Sequence, residues 1–296
     1  MRWPKFLMFV VIAALLPYGS SIAQESVNQK LDRIDAKLDT LLAIHRSTST
    51  ILTSSGDTLR DTLNLIFGIV SPKGTILDKR YFTINHNDEW KEPYWVAYHL
   101  SANDLQGTST RADDFRPDPQ LPAGSRSELA DYRGSGYDRG HNAPAADFKR
   151  SDEAMSTSFL LSNMSPQTPQ LNRRIWERLE SQVRQMVNAA GEAWIVTGNL
   201  FLTADSQKTT PKSKIGPDSV AVPTHCFKAI LSKHQDGSYR MYAFLLPNLP
   251  EAIPGEPVNY ILAVDRLEAI TGYDFFPDLA GEVEAELESR KADVWP

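Results

Sequence analysis

An uninterrupted apolar run, FLMFVVIAALL at 6–16, follows Arg2 and Lys5 and leads to Ser21-Ile22-Ala23, with small residues at the two positions a signal peptidase reads. The run is well short of the ~20 apolar residues that cross a bilayer, so the pattern predicts a cleaved export signal over residues 1–23. A periplasmic or secreted protein with no membrane attachment after cleavage is the expectation. Farther on, apolar positions recur with a 4-3-4-3 spacing at Val27, Leu31, Ile34, Leu38 and Leu41. That spacing lays one seam along a helix and predicts a short coiled coil, hence a homo-oligomer formed through residues 24–70. An amphipathic helix folded back on the body would satisfy the same seam. The seam meets His45 and Thr48, and the stretch STSTILTSSGDT weakens helix propensity before Leu52, Leu59, Leu63 and Ile66 resume it, which favours two helices over one rod.

In the remainder, 71–296, runs rich in β-branched and aromatic residues at 94–100, 193–196, 220–231 and 239–246 predict strands. Helical periodicity appears at 169–190, 256–271 and 280–291, the second ending at Gly272 as a C-cap glycine would. Strands separated by long loops and a few helices predict an α+β domain rather than a regular βαβ series.

Composition narrows the chemistry. The chain has 31 Lys plus Arg against 37 Asp plus Glu and a formal charge of -6, so it does not hold nucleic acid by overall charge, and any phosphate site must be local. Its one cysteine, Cys226, excludes an intramolecular disulfide framework and any zinc site built on two thiolates. A bound metal must therefore prefer oxygen or imidazole.

The densest functional signal is YRGSGYDRGHNAPAADF at 132–148, where Gly134, Gly136 and Gly140 let the backbone turn beside an acid, an arginine and a histidine. Those glycines do not have the spacing of a dinucleotide fold, there is no phosphate loop, and Ser135 lacks a nucleophile-elbow context. Downstream, LLSNMSPQTPQLNRRIWERLESQVRQMV predicts a strand end, a loop with two prolines, and a helix capped by Thr168 with Pro169 at its first position. Ile175, Leu179, Val183 and Met186 form its apolar face. At ~100° per residue Asn172, Glu180 and Arg184 project from one side, but the ~12 Å rise between Asn172 and Glu180 separates them too far for both to ligate one ion directly. An amide oxygen on the ion and a carboxylate acting through water is an arrangement that suits Mg²⁺, which keeps most of its waters. Glu180 and Arg184 could alternatively form an i,i+4 surface pair. Between Arg133 and Arg184 basic residues exceed acids by two, a local cationic excess in an acidic protein.

These motifs, together with WVAYHL at 95–100, Arg111 followed by FRPDP at 115–119, LSNMSPQ at 161–167 and WIVTGNLF at 194–201, resemble the DNA/RNA non-specific endonuclease family of the ββα-metal superfamily over roughly residues 80–275. The resemblance implies an antiparallel β-sheet flanked by helices, with a ββα-metal hairpin and helix laid against it. It also implies metal-dependent hydrolysis of DNA and RNA, with His141 as general base and Asn172 as the direct ligand of Mg²⁺ or Mn²⁺. Glu180 would act on the metal through water, Arg111 and Arg184 would contact the scissile phosphate or position that carboxylate, and Asp138, Arg139 and Asn163 would support the site. A catalytically silent nucleic-acid-binding or coiled-coil interaction protein on the same fold is the competing expectation. At an unperturbed pKa near ~6.5 the base would be uncovered as pH rises through that value. His86, His99 and the His225-Cys226 pair read as packing residues, and the acidic stretch 282–291 as a solvated helix face.

Overall fold

Three of the strand-like runs become long central strands of one sheet: β4 (Glu92–Ser101), β7 (Glu192–Leu200) and β11 (Tyr239–Pro247). The fourth run, 220–231, is not continuous. Pro223 cannot donate to a ladder, and the chain divides there into β9 (Val220–Ala221) and β10 (His225–Lys233). The computed structural model describes residues 63–71, 74–279 and 281–292, so the export signal and the helical seam up to residue 62 lie outside the described residues.

The sheet has seven antiparallel strands in the order β12-β11-β10-β7-β4-β3-β2, with β2 at Thr75–Asp78, β3 at Thr83–Asn87 and β12 at Ile261–Leu262. Strand β3 reads TINHN and escapes the hydrophobic pattern because its polar side chains are buried and find partners. Asn87 Oδ1, for example, accepts from Glu89 and Trp90 N–H at 3.0 and 2.9 Å. The helix expected over 256–271 is divided for a similar reason. Ile261 and Leu262 pair with Phe244 and Ala243 at the sheet edge, leaving a 3₁₀ turn at Pro257–Tyr260 and helix Val264–Thr271, closed by Gly272 at φ 68°.

Each face of the sheet carries its own core. On one face Val96, Tyr98, Ile195, Ile230 and Phe244 meet Leu171, Ile175, Leu179, Val183 and Met186, the predicted apolar stripe of the long helix Glu177–Ala190 and the turn before it. On the other, Trp95, Ala97, Val196, Phe227 and Ala229 meet Val264 and Leu267 of helix Val264–Thr271 and Phe275 of strand β13 (Asp274–Phe275). Alternation along the strands sends successive side chains to opposite faces, which is why both are apolar.

Residues 63–70, which the hydrophobic pattern joins to the coiled-coil segment, belong to this second face. Leu63 carbonyl accepts from Trp194 Nε1 at 3.0 Å, Phe67 packs edge-on to Trp194 at 4.7 Å, and β1 (Ile69–Val70) pairs with β13. A boundary after residue 70 therefore cuts into the body. Among the described residues no helix is long and apolar enough to cross a membrane.

Candidate active site

Strands β5 (Asp138–His141) and β6 (Met164–Gln167) form a separate antiparallel hairpin that leads into the long helix, giving a β-β-α unit. Gly140 is required by proximity rather than by its dihedrals: a Cβ there would lie 2.3 Å from the Gln167 side chain on the opposite strand. Asn163, fully buried, ties the two strands together. Its Oδ1 accepts from Ala143 N–H (2.9 Å) and its Nδ2 donates to the carbonyls of Ala143 and Ser158 (2.9 and 2.8 Å). Asn163 thus clamps the backbone just past His141.

His141 stands edge-on to two aromatic rings, Phe159 at 5.0 Å and Phe115 at 5.7 Å, and its Nε2 is buried without a hydrogen-bond partner. Each ring carries a guanidinium: Arg111 lies over Phe159 at 4.9 Å and Arg139 over Phe115 at 4.0 Å. Arg111 remains more than half exposed, its Nε held by Asp113 at 2.7 Å. Burial, followed by the fields of Arg111 and Arg139, lowers the His141 pKa from 6.5 to about 3. The expected ordinary value is thereby corrected: the imidazole is an uncharged base throughout the neutral range.

Asn172 is arranged for a different task. It lies in a single π-helical turn, Leu171–Trp176, that precedes the regular helix, so the 100° spacing assumed from sequence does not hold through it. Thr168 still caps the turn as predicted, its Oγ1 accepting from Leu171 N–H at 3.2 Å. The Asn172 Nδ2 donates to Asp138 Oδ2 at 3.0 Å, and only the amide nitrogen can donate to a carboxylate. Its Oδ1 is therefore left as a neutral oxygen with no protein partner among the described residues. Arg173 grips the same carboxylate through Nε and Nη2 at 2.8 and 2.6 Å. Burial alone would raise the Asp138 pKa, but these donors hold it below the usual carboxylate value.

Glu180 and Arg184 do not form the surface pair that their spacing allowed. Arg184 instead reaches Asp147 at 3.1 Å, and Asp147 also accepts from Tyr98 Oη at 2.8 Å. Glu180 sits in this buried cluster with Lys228, which donates to Thr197 and lies over the Trp176 ring at 5.2 Å. Burial first raises the Glu180 pKa, with Asp147 adding to the rise, while Lys228 and Arg184 counter it. The Lys228 pKa moves down for the same leading reason.

His86 and His99 are structural, as expected, paired with Asp88 at 3.0 Å and with Glu192 at 2.9 Å. Cys226 is buried, and burial pushes its thiol pKa up, which leaves it inert.

The profile of the DNA/RNA non-specific endonuclease family matches residues 63–282. The chain belongs to that family. Its relatives in the family are nucleases, enzymes that hydrolyse phosphodiester bonds. The chain is 36% identical to the mitochondrial nuclease EXOG of Danio rerio over 71% of its own length and 64% of that protein's. It is 38% identical to the mitochondrial endonuclease G of Homo sapiens, over 64% of this chain and 67% of that one. A nuclease of Nostoc sp. is 34% identical over 75% and 80%. The chain thus spans about two thirds of the length of the two mitochondrial relatives. A solved structure of the EndoG/EndoGI complex superposes with a TM-score of 0.69 at 27% identity, covering 75% of this chain and 93% of that one.

Within this endonuclease framework three polar residues, Arg173, Asp147 and Lys228, lie outside what the sequence motifs assign. Arg173 beside Asn172 and Asp147 inside the 132–148 motif gave no distinguishing signal. Lys228 did give one: it interrupts HCFKAILSK at a position in phase with Cys226 and Ile230, which face the core. A charge at an inward position of a strand calls for a buried partner.

Proposed function

We propose that the chain is an exported, metal-dependent nuclease acting on DNA and RNA, with His141 as general base and Asn172 as the direct ligand of Mg²⁺ or Mn²⁺. One observation carries this reading. A buried imidazole on the hairpin, its Nε2 without a hydrogen-bond partner, lies among rings that carry Arg111 and Arg139, and Asp138 of the same hairpin engages the amide nitrogen of Asn172. The free Asn172 Oδ1 suits a hard cation, and the nearby Asp138 carboxylate contributes negative charge. Asn172 would hold a divalent ion there, which when bound would supply positive charge toward the transition state and the leaving oxygen. His141 takes the proton of the attacking water, Arg111 holds a phosphate oxygen, and Arg139 remains stacked on Phe115 beside the base. Asp138, tied to Arg173, fixes the amide of Asn172. Glu180 and Arg184 act from beneath, Arg184 by neutralising Asp147, while Glu180 would support a bound ion through water.

The purified protein is expected to cleave plasmid DNA and single-stranded RNA with Mg²⁺ and to lose that activity in EDTA. Asn172→Ala is expected to be slow at low Mg²⁺ and partly restored at high Mg²⁺ or Mn²⁺, because a lost ligand weakens metal affinity. Binding of nucleic acid without cleavage would favour the catalytically silent reading, and full cleavage in EDTA would remove the metal from the mechanism.

Export and self-association belong to the same proposal and rest on residues 1–62. The mature protein is expected to begin at Gln24, and its mass in light scattering to fall by more than the deleted residues when 24–62 are removed. A Met1 terminus on the protein as made by its host, or an unchanged monomer, would reject the respective half.

A further inference from the structure

The acidic stretch 282–291 is not a solvated helix face throughout. Glu288, at the end of helix Gly281–Glu288, is 8% exposed, and its Oε1 is buried without a hydrogen-bond partner. It points into other acids. One carboxylate oxygen of Glu288 lies within 4.8 Å of those of Asp265 and Glu268, and the same holds for Glu288 with Asp274 and Glu284. These carboxylates come from three elements: helix Val264–Thr271, strand β13 and the terminal helix. Glu268 is held in place by the N–H of Phe275, which donates to its Oε1 at 2.8 Å. Among the described residues no lysine or arginine pairs with Asp265, Glu268, Asp274 or Glu288, and Arg290 near the helix end turns to Glu286 instead.

A buried carboxylate facing four others is unfavourable unless positive charge or a proton offsets it. In agreement, burial and then the fields of Glu268, Glu284, Asp265 and Asp274 push the Glu288 pKa up to about 8. We infer that the carboxylates of Asp265, Glu268 and Asp274 form with Glu288 a Ca²⁺ site centred on Glu288, distinct from the position assigned to Asn172. The donor set decides the ion class. It contains only hard oxygen and neither imidazole nor thiolate, which disfavours Zn²⁺. Carboxylates delivered by a short strand and two helices give many oxygens in irregular geometry, which Ca²⁺ accepts with six to eight ligands and Mg²⁺, with its strict octahedron, does not. The site lies on the sheet face opposite the long helix that follows Asn172. Its ion would tie the terminal helix to helix Val264–Thr271 and to β13, and through β13 to the entering strand β1. The function is structural: the cation joins helix Gly281–Glu288 through β13 to β1.

The test compares thermal unfolding of the wild type and Glu288→Gln in EDTA and in CaCl₂, with Ca²⁺ binding followed by calorimetry. At a hundredfold excess over the dissociation constant, Ca²⁺ is expected to raise the wild-type midpoint by roughly 5–10 °C. Glu288→Gln should melt at or above the wild type in EDTA, because like-charge repulsion is relieved, yet below it in Ca²⁺. That crossover is the signature of a cation site, and Asp265→Asn should reduce the Ca²⁺ shift without abolishing folding. Two results would overturn the inference. One is equal Ca²⁺ shifts in wild type and Glu288→Gln, which would place the bound ion elsewhere. The other is a Glu288→Gln protein more stable in both buffers, which would show that a shared proton satisfies the cluster.

Discussion

Replacing His141 by alanine is expected to slow cleavage of DNA and RNA by ~10²–10⁴-fold, the usual worth of a positioned general base. Stability is expected to fall as well, since the ring packs edge-on against both Phe115 and Phe159, which also meet each other, and its removal leaves a cavity. Folding must therefore be monitored alongside rate, and His141→Gln, closer in volume, separates the two effects: it should lose the rate and keep most of the stability. Full activity in either variant would sink the mechanism. The pH profile provides an independent check. With the imidazole pKa at about 3, kcat/KM should not rise through pH 6.5, the value an exposed histidine would give. The same shift affects stability with a definite sign. Between about pH 3 and 6.5 the unfolded chain binds a proton at His141 that the folded chain does not, so stability falls as pH falls through that window. The slope from this one group is about 1.4 kcal/mol per pH unit and should vanish in His141→Gln. A wild-type rate that climbs tenfold per unit below pH 6.5 would show that the ring is solvated in the working enzyme.

The second large effect is expected at a residue that touches no substrate in the proposed mechanism. Asp147 is buried and accepts from Tyr98 and Arg184, in the field of Lys228. Asp147→Ala leaves the Arg184 and Lys228 charges without this counter-charge inside the protein, a change that costs ~3–5 kcal/mol when one member of a buried pair is removed. Urea unfolding measures it directly. A loss below ~1 kcal/mol would show that water screens the cluster. Activity should fall too, because Asp147 anchors Arg184, one turn from Glu180 on the same helix, and added metal should not repair that loss.

Much of the chain's organisation is written in short-range pattern. The stripe of Ile175, Leu179, Val183 and Met186 identifies a helix and the face it buries, because i, i+3, i+4 neighbours share a side whatever they pack against. Alternation and β-branching mark β4, β7 and β11 in the same local way. The family resemblance carried by the motifs implied one β-β-α unit holding His141, Asn163 and Asn172, and the motifs are legible because the glycine-bearing turn and the capped helix are determined by residues close in sequence. What failed locally did so for nameable reasons. The polar strand β3 needs distant partners to be buried, Pro223 divides an apolar run, and a π-helical turn alters the spacing around Asn172.

The site's electrostatics lay beyond sequence because charges act through space. Lys228 on β10 meets Glu180, Asp147 and Arg184 only when the long helix is laid across the sheet. The His141 pKa depends on how two phenylalanines exclude water and on two guanidinium groups brought up behind them, none of which spacing encodes. Glu288 looks like a surface acid until two helices and a short strand bring four more carboxylates to it. The sequence by itself determined which residues could do the chemistry, through local pattern and motif. Tertiary structure alone decided their protonation, their partners and the second cluster of charge, because desolvation and Coulomb interaction are properties of position in space and not of order along the chain.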